Sequence, residues 1–214
     1  MNAEVVYESA RRHGVIAIVR GVAPDVIVEI AEALYSGGIR LLEVTCNTPG
    51  FADMIALLRD RTAGRMVIGA GTVITAALCE QALAAGAQYM VAPDVNPDVI
   101  RYCVVHNVAI FPGAQTATEI LAAARLGARV VKIFPASAVG PGGIRQLRGP
   151  IDTVDFLAVG GVNLDNIGEY IAAGCIGIGI GGSVIRRDIV ARRDWPALAA
   201  EAARYVAAVN DSRG

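Results

Sequence analysis

Short apolar runs recur along the chain at intervals of roughly 19–26 residues, each bounded by glycine, proline or threonine. The first is the strand and glycine turn Val15–Gly21. Others follow at Leu41–Thr45, Met66–Ala70, Tyr89–Ala92, Val108–Phe111, Val130–Phe134, Phe156–Val159 and Ile176–Ile180. Between them lie alanine- and leucine-rich stretches at helical spacing, such as 76–85 and 119–126. Pro24-Asp25 opens another helix, which runs through Leu34. Glycine stands just before several apolar runs, in Gly37-Gly38, Gly86-Ala87, Gly127-Ala128 and Gly174-Cys175. That is where a helix ends and turns into a strand. A first helix over residues 3–12 stops at Gly14, and a last one over about 196–209 follows Asp194-Trp195 as its cap. Eight strands, each followed by a helix, predict an α/β fold: a (β/α)8 TIM barrel forming one domain over residues 1–214, with an N-terminal helix. The chain is lean for that fold, which typically takes about 250 residues. An open doubly wound sheet is the alternative.

Composition sharpens this picture. Hydrophobic residues make up 54% of the chain and the mean hydropathy is +0.50, yet no apolar run reaches the roughly 18 residues of a membrane span. The surplus fits a parallel sheet covered on both faces. A net charge of −1 without a dense basic stripe argues against nucleic acid and membrane as partners. The first residues carry acids and no signal-peptide core, so a cytoplasmic location is expected. Cys46, Cys79, Cys103 and Cys175 lack zinc-site spacing and read as reduced thiols. His13 and His106 fit no metal or triad pattern, and no metal is expected. The arginines at 186, 187, 192 and 193 read as a solvated surface or an oligomer rim.

Against this background two charges stand out. Lys132 is the only lysine among 19 basic residues, and it sits within the apolar run Val130–Phe134. Burial lowers the pKa of an amine, and a neutral amine attacks carbonyls as a guanidinium cannot. The plainer reading is a strand-end lysine that snorkels to water. Glu43 interrupts Leu41–Thr45 in the same way. Strand alternation puts both on even-strand faces, so both side chains point into one layer at the barrel mouth. A buried ion pair is the structural alternative, and desolvation makes that a weak source of stability.

Other candidate binding residues fall at the strand ends where such barrels keep their active sites: Arg20, Thr72, Asn47, Pro93 and Phe134. Gly160-Gly161 and Gly181-Gly182-Ser183 offer backbone amides and a hydroxyl for a phosphate, although close packing also calls for glycine there. Amine, carboxylate and phosphate anchor together describe a Schiff-base lyase acting on a phosphorylated keto compound. A phosphate-binding isomerase or decarboxylase without an imine, and a non-catalytic sugar-phosphate-binding barrel, are the alternatives.

Ile16-Ala-Ile-Val-Arg-Gly21, Leu42-Glu-Val-Thr45, Ile68-Gly-Ala-Gly-Thr72, Phe111-Pro-Gly113, Val131-Lys-Ile-Phe-Pro135 and Ala158-Val-Gly-Gly161 span nearly the whole chain. In these stretches it resembles the 2-keto-3-deoxy-6-phosphogluconate and 6-phosphogalactonate aldolases, which are class I aldolases. The resemblance implies a homotrimer that cleaves a 2-keto-3-deoxy-6-phospho sugar acid to pyruvate and glyceraldehyde 3-phosphate without a cofactor. It makes Lys132 the Schiff-base residue and Glu43 the proton shuttle. Thr72 would hold the pyruvyl carboxylate, and Gly161 and Ser183 the phosphate. Many phosphogluconate-type members carry arginine where this chain has Asn47. With Arg20 at the end of the first strand, the pattern looks more like the phosphogalactonate branch. The family also includes 4-hydroxy-2-oxoglutarate aldolases.

Overall fold

The computed structural model describes residues 2–214. Among them are nine parallel strands in a single sheet: β1 (Val15–Val19), β2 (Leu41–Thr45), β3 (Val67–Gly71), β4 (Tyr89–Val91), β5 (Ala109–Phe111), β6 (Gly113–Ala114), β7 (Val130–Ile133), β8 (Asp155–Val159) and β9 (Cys175–Ile180). Their order is β5-β4-β3-β2-β1-β9-β8-β7-β6, without the reversal of an open doubly wound sheet. The two outer strands, β5 and β6, are consecutive and separated only by Pro112. Its carbonyl accepts a 2.8 Å hydrogen bond from the Lys132 amide. The sheet is thus a nearly closed barrel. Proline has no amide to give to a ladder, so the fifth predicted strand breaks at Pro112 and is continued by a short piece.

The expected helices form. α1 (Ala3–His13) starts at Asn2, whose side chain accepts from the Val5 amide, and ends at Gly14 with φ 66°. This conformation suits glycine, and an added Cβ would also strike the Arg213 guanidinium. The helix opened by Pro24 begins as a short 3-10 turn and continues as α2 (Ile27–Ser36). α3 (Phe51–Thr62), α4 (Ala76–Ala84), α5 (Pro97–Val105), α6 (Ala117–Arg125), α7 (Ala136–Arg148), α8 (Ile167–Ala172) and α9 (Arg187–Ala191) complete the outer layer with α10. α10 (Trp195–Asp211) is capped by Asp194, which accepts from the Ala197 amide. No helix among the described residues is long and apolar enough to cross a membrane.

The core has two parts, and strand alternation decides which residue joins which. Leu42, Val44, Ile68, Val131, Ile133 and Ile178 face the helices. Ile16, Leu41, Val67, Tyr89, Phe111, Val130 and Leu157 fill the barrel. α1 closes the barrel floor with Val6, Tyr7 and Ala10, and Arg11 ties it to Asp155 of β8 at 2.7 Å. The Tyr7 ring packs edge-on against Phe111, and its hydroxyl accepts from the Ile110 amide at 3.1 Å. Tyr7→Phe strands that buried amide, so we expect a loss of about 1–3 kcal/mol in urea unfolding. Turnover should stay near wild type, because the floor is far from the strand C-termini.

Candidate active site

Six strands, β1, β2, β3, β7, β8 and β9, carry polar side chains or glycines to the open end of the barrel. Val130 lies in the barrel interior while Val131 and Ile133 face the helices, so Lys132 points inward. Leu41 and Glu43 are related in the same way on β2. Both charges are buried, Lys132 at 5% exposure and Glu43 at 2%. Glu43 has room because β3 has none of its own side chain there. A Cβ at Gly71 would lie 2.3 Å from Glu43 Oε1. Gly113 plays a similar part at the seam, since a Cβ there would meet the Pro93 carbonyl oxygen at 2.3 Å.

Burial drives both groups toward neutrality. It pushes the Glu43 carboxyl up to about 7, with the positive charges of Lys132 and Arg20 acting in the opposite sense. It lowers Lys132 below the usual amine value, and Arg20 adds to that while Glu43 opposes it. The two are not in contact as an ion pair. The Lys132 ammonium position lies 4.3 Å from the centre of the Phe134 ring. The carboxyl can thus exchange a proton near neutral pH, and the lowered amine is a better nucleophile than an ordinary lysine.

Arg20 ends the inward phase of β1 and donates to Thr72 Oγ1 at 3.4 Å. The Gly21 amide donates to Thr48 Oγ1, and Thr48 shares a 2.9 Å hydroxyl bond with Thr45. These bonds join the β1 and β2 loops and set where Arg20 emerges. Thr72 holds φ at 56°, an uncommon conformation for a β-branched residue.

A cavity of about 920 Å³ opens above Lys132. Its walls include Arg20, Lys132, Phe134, Gly160, Gly161, Gly182 and Ser183. Gly160 and Gly161 both have positive φ, at 89° and 78°, and a Cβ at Gly161 would strike Ser137. An added Cβ at Gly182 would meet nothing within 4 Å, so packing does not demand glycine there. Gly177 and Gly179 are different. Their missing side chains leave space for the Gly14 carbonyl and for Val159, as the packing alternative required.

Four predicted residues do not line this cavity. Glu43 lies buried next to it and Thr72 borders it through Arg20. Pro93 contributes its carbonyl to the Gly113 seam, and Asn47 is an exposed turn residue. Two of the arginines read as a solvated surface or an oligomer rim, Arg187 and Arg193, are exposed and also belong to the cavity wall. Arg193 pairs with Asp25 at 2.7 Å. Arg186 and Arg192 both pair with Asp188. Arg187 lines the cavity with no acidic partner among the described residues. Its place four residues after Ser183, beyond the end of the last strand, was the available signal. Among the described residues no three His, Cys, Asp or Glu gather as metal ligands.

A nearly closed parallel barrel with a buried amine and carboxyl at its mouth suits an enzyme acting on a carbonyl compound. The family model for KDPG and KHG aldolases matches residues 6–200. A 2-dehydro-3-deoxy-phosphogluconate aldolase of Treponema pallidum is 42% identical over 168 residues, 78% of this chain and 80% of that protein. A 2-dehydro-3-deoxy-6-phosphogalactonate aldolase of Escherichia coli is 37% identical over 173 residues, 80% of this chain and 84% of that one. A KDPG aldolase of Legionella pneumophila, solved with pyruvate captured as a covalent carbinolamine, superposes with a TM-score of 0.85 at 27% identity. That match covers 90% of this chain and 94% of the other. The chain belongs to the KDPG and KHG aldolase family, and it is an aldolase.

Gly71→Ala tests the niche around Glu43. The added methyl must displace the carboxyl, so turnover should fall about 100-fold. Stability should fall by only about 1–3 kcal/mol, as read by urea unfolding.

Proposed function

We propose that this chain is a class I aldolase that cleaves a 2-keto-3-deoxy-6-phospho sugar acid to pyruvate and glyceraldehyde 3-phosphate, with Lys132 as the Schiff-base residue. The observation that carries this is the burial of the lone lysine beside Glu43 at the mouth of an aldolase-family barrel. In this reading β5 and β6 are two halves of one strand, which makes the barrel a (β/α)8 unit preceded by α1. The chain acts in the cytoplasm as a homotrimer, a part of the reading supported by family resemblance.

The neutral Lys132 Nζ attacks the C2 carbonyl, and the carbinolamine loses water to give an iminium ion. Glu43 accepts and returns the protons of these steps. With the iminium as electron sink, removal of the C4 hydroxyl proton breaks the C3–C4 bond. The aldehyde leaves, and an enamine remains on Lys132. Protonation of C3 and hydrolysis of the imine release pyruvate and restore the amine. A carboxyl near pKa 7 can serve both as base and as acid in one cycle.

In this reading Arg20 and Thr72, joined by a hydrogen bond, hold the carboxylate of the pyruvyl group on Lys132. Because Asn47 is neutral and outside the cavity, Arg20 supplies the positive charge for that carboxylate. This arrangement supports the phosphogalactonate-type substrate. The phosphate lies toward Gly160-Gly161 and Gly182-Ser183, with Arg187, which has no acidic partner among the described residues, as a cation beside them.

Borohydride reduction in the presence of pyruvate, followed by peptide mapping, tests the reading. A reduced pyruvyl adduct on Lys132 is expected, and its absence in folded protein overturns the imine mechanism in favour of a phosphate-binding isomerase or decarboxylase. Glu43→Gln should still form the adduct, more slowly, and lose roughly 100- to 10,000-fold in turnover. Arg187→Ala should raise KM for the phosphorylated substrate roughly 10- to 100-fold, the size of one charge-assisted contact. Cleavage of unphosphorylated 4-hydroxy-2-oxoglutarate should not change in that variant.

A further inference from the structure

Tyr89 is a buried titratable residue that the steps above leave without a task. Its side chain is fully buried inside the barrel, and its hydroxyl is buried with no hydrogen-bond partner among the described residues. A phenylalanine would pack the same space at no polar cost, whereas an orphaned hydroxyl is expensive. Phe111 holds the ring edge-on, with centroids 5.7 Å apart.

Gly69 shows where the ring reaches. A Cβ at Gly69 would lie 2.4 Å from Tyr89 Cζ, the atom that bears the hydroxyl. Gly69 is also the residue of β3 that pairs in register with Glu43. Two positions on, a Cβ at Gly71 would lie 2.3 Å from Glu43 Oε1. Inward positions two apart on one strand are about 7 Å from each other. Phenol and carboxyl thus occupy neighbouring niches, each opened by a glycine of the same strand. From this geometry we propose that Tyr89 is a positioning residue for Glu43, its hydroxyl reaching the carboxyl through one water molecule. The proposal rests on the aldolase reading of Glu43.

The chemistry fits a group that must change its proton state in each cycle. A hydroxyl donates to a carboxylate and accepts from a carboxylic acid, so one contact serves both states. The other charged groups that act on Glu43 are Lys132 from β7 and Arg20 after β1, while Cys46 after β2 packs on the helix side of the sheet. Lys132 takes up substrate and Arg20 faces the cavity, so neither is free to hold Glu43 throughout the reaction. Burial and the Glu43 charge keep the Tyr89 phenol well above its ordinary value, and it stays a neutral donor.

Tyr89→Phe tests this. Loss of the donor weakens the charged form of Glu43. The acid limb of the kcat/KM–pH profile should therefore move upward by about half a pH unit or more. Turnover at neutral pH should fall about 3- to 10-fold, while pyruvate is still trapped on Lys132. An unmoved acid limb with unchanged turnover overturns the proposal, all the more if the melting temperature rises, as relief of an orphaned hydroxyl would produce. Should the variant fail to fold, 3-fluorotyrosine at position 89 keeps the shape and strengthens the donor. The limb should then move to lower pH, and an unmoved limb again overturns the proposal. Failure of the wild-type protein to trap pyruvate removes the aldolase reading itself. Trapping by wild type and variant with identical profiles removes only the role of Tyr89.

Discussion

The cost of keeping Glu43 and Lys132 out of water is the constraint on which the rest of this structure depends. Both sit inside a barrel otherwise filled by Ile16, Leu41, Val67, Phe111, Val130 and Leu157. Neither makes a contact ion pair that would offset the desolvation. Burial instead shifts both groups toward their neutral forms, raising the carboxyl and lowering the amine. A tightly paired lysine would be a poor nucleophile, and a tightly paired glutamate a poor base. Separation inside an apolar layer leaves each available, and the surrounding packing bears the cost.

That layer imposes conditions on residues with no chemistry of their own. β3 gives up two inward side chains, Gly69 for the Tyr89 ring and Gly71 for the Glu43 carboxyl. β9 gives up Gly177 and Gly179 to the Gly14 carbonyl and Val159. At the seam, Pro112 interrupts the strand, and its carbonyl holds the Lys132 amide. The reactive residue therefore sits where the sheet meets itself. A shift of that seam would move Lys132 relative to Glu43 on the far side of the barrel.

The arrangement of strands and helices was largely legible in the sequence, because apolar runs and glycine stops alternate so regularly. α1 ends at Gly14 as its pattern predicts, and every predicted strand has a counterpart. Lys132 and Glu43 were legible for a related reason: a charge inside an apolar strand is conspicuous. Arg187 was not, since an arginine among other arginines looks like surface until its neighbours are seen to be paired with Asp25 and Asp188. Tyr89 was also hidden. In sequence it is an ordinary strand aromatic, and only the niches at Gly69 and Gly71 reveal what its hydroxyl adjoins. Asn47 carried weight as a departure from the family pattern. Its turn places it outside the cavity, so its meaning lies in the charge it does not supply.

The two ends of the site differ in how they are built, and that difference bears on specificity. Around Lys132 the groups are buried, glycine-fitted and tied into strand ladders, so their geometry follows from the barrel itself. Toward Ser183 and Arg187 the wall is made of glycine turns and exposed arginine side chains after the last strands. Such turns and side chains can change without disturbing the core. In the proposed reading the pyruvyl half of a substrate is recognised by the fold, and the leaving aldehyde half by loops attached to it. Variation in substrate among barrels of this kind is therefore expected at the second end, with the amine and carboxyl left in place.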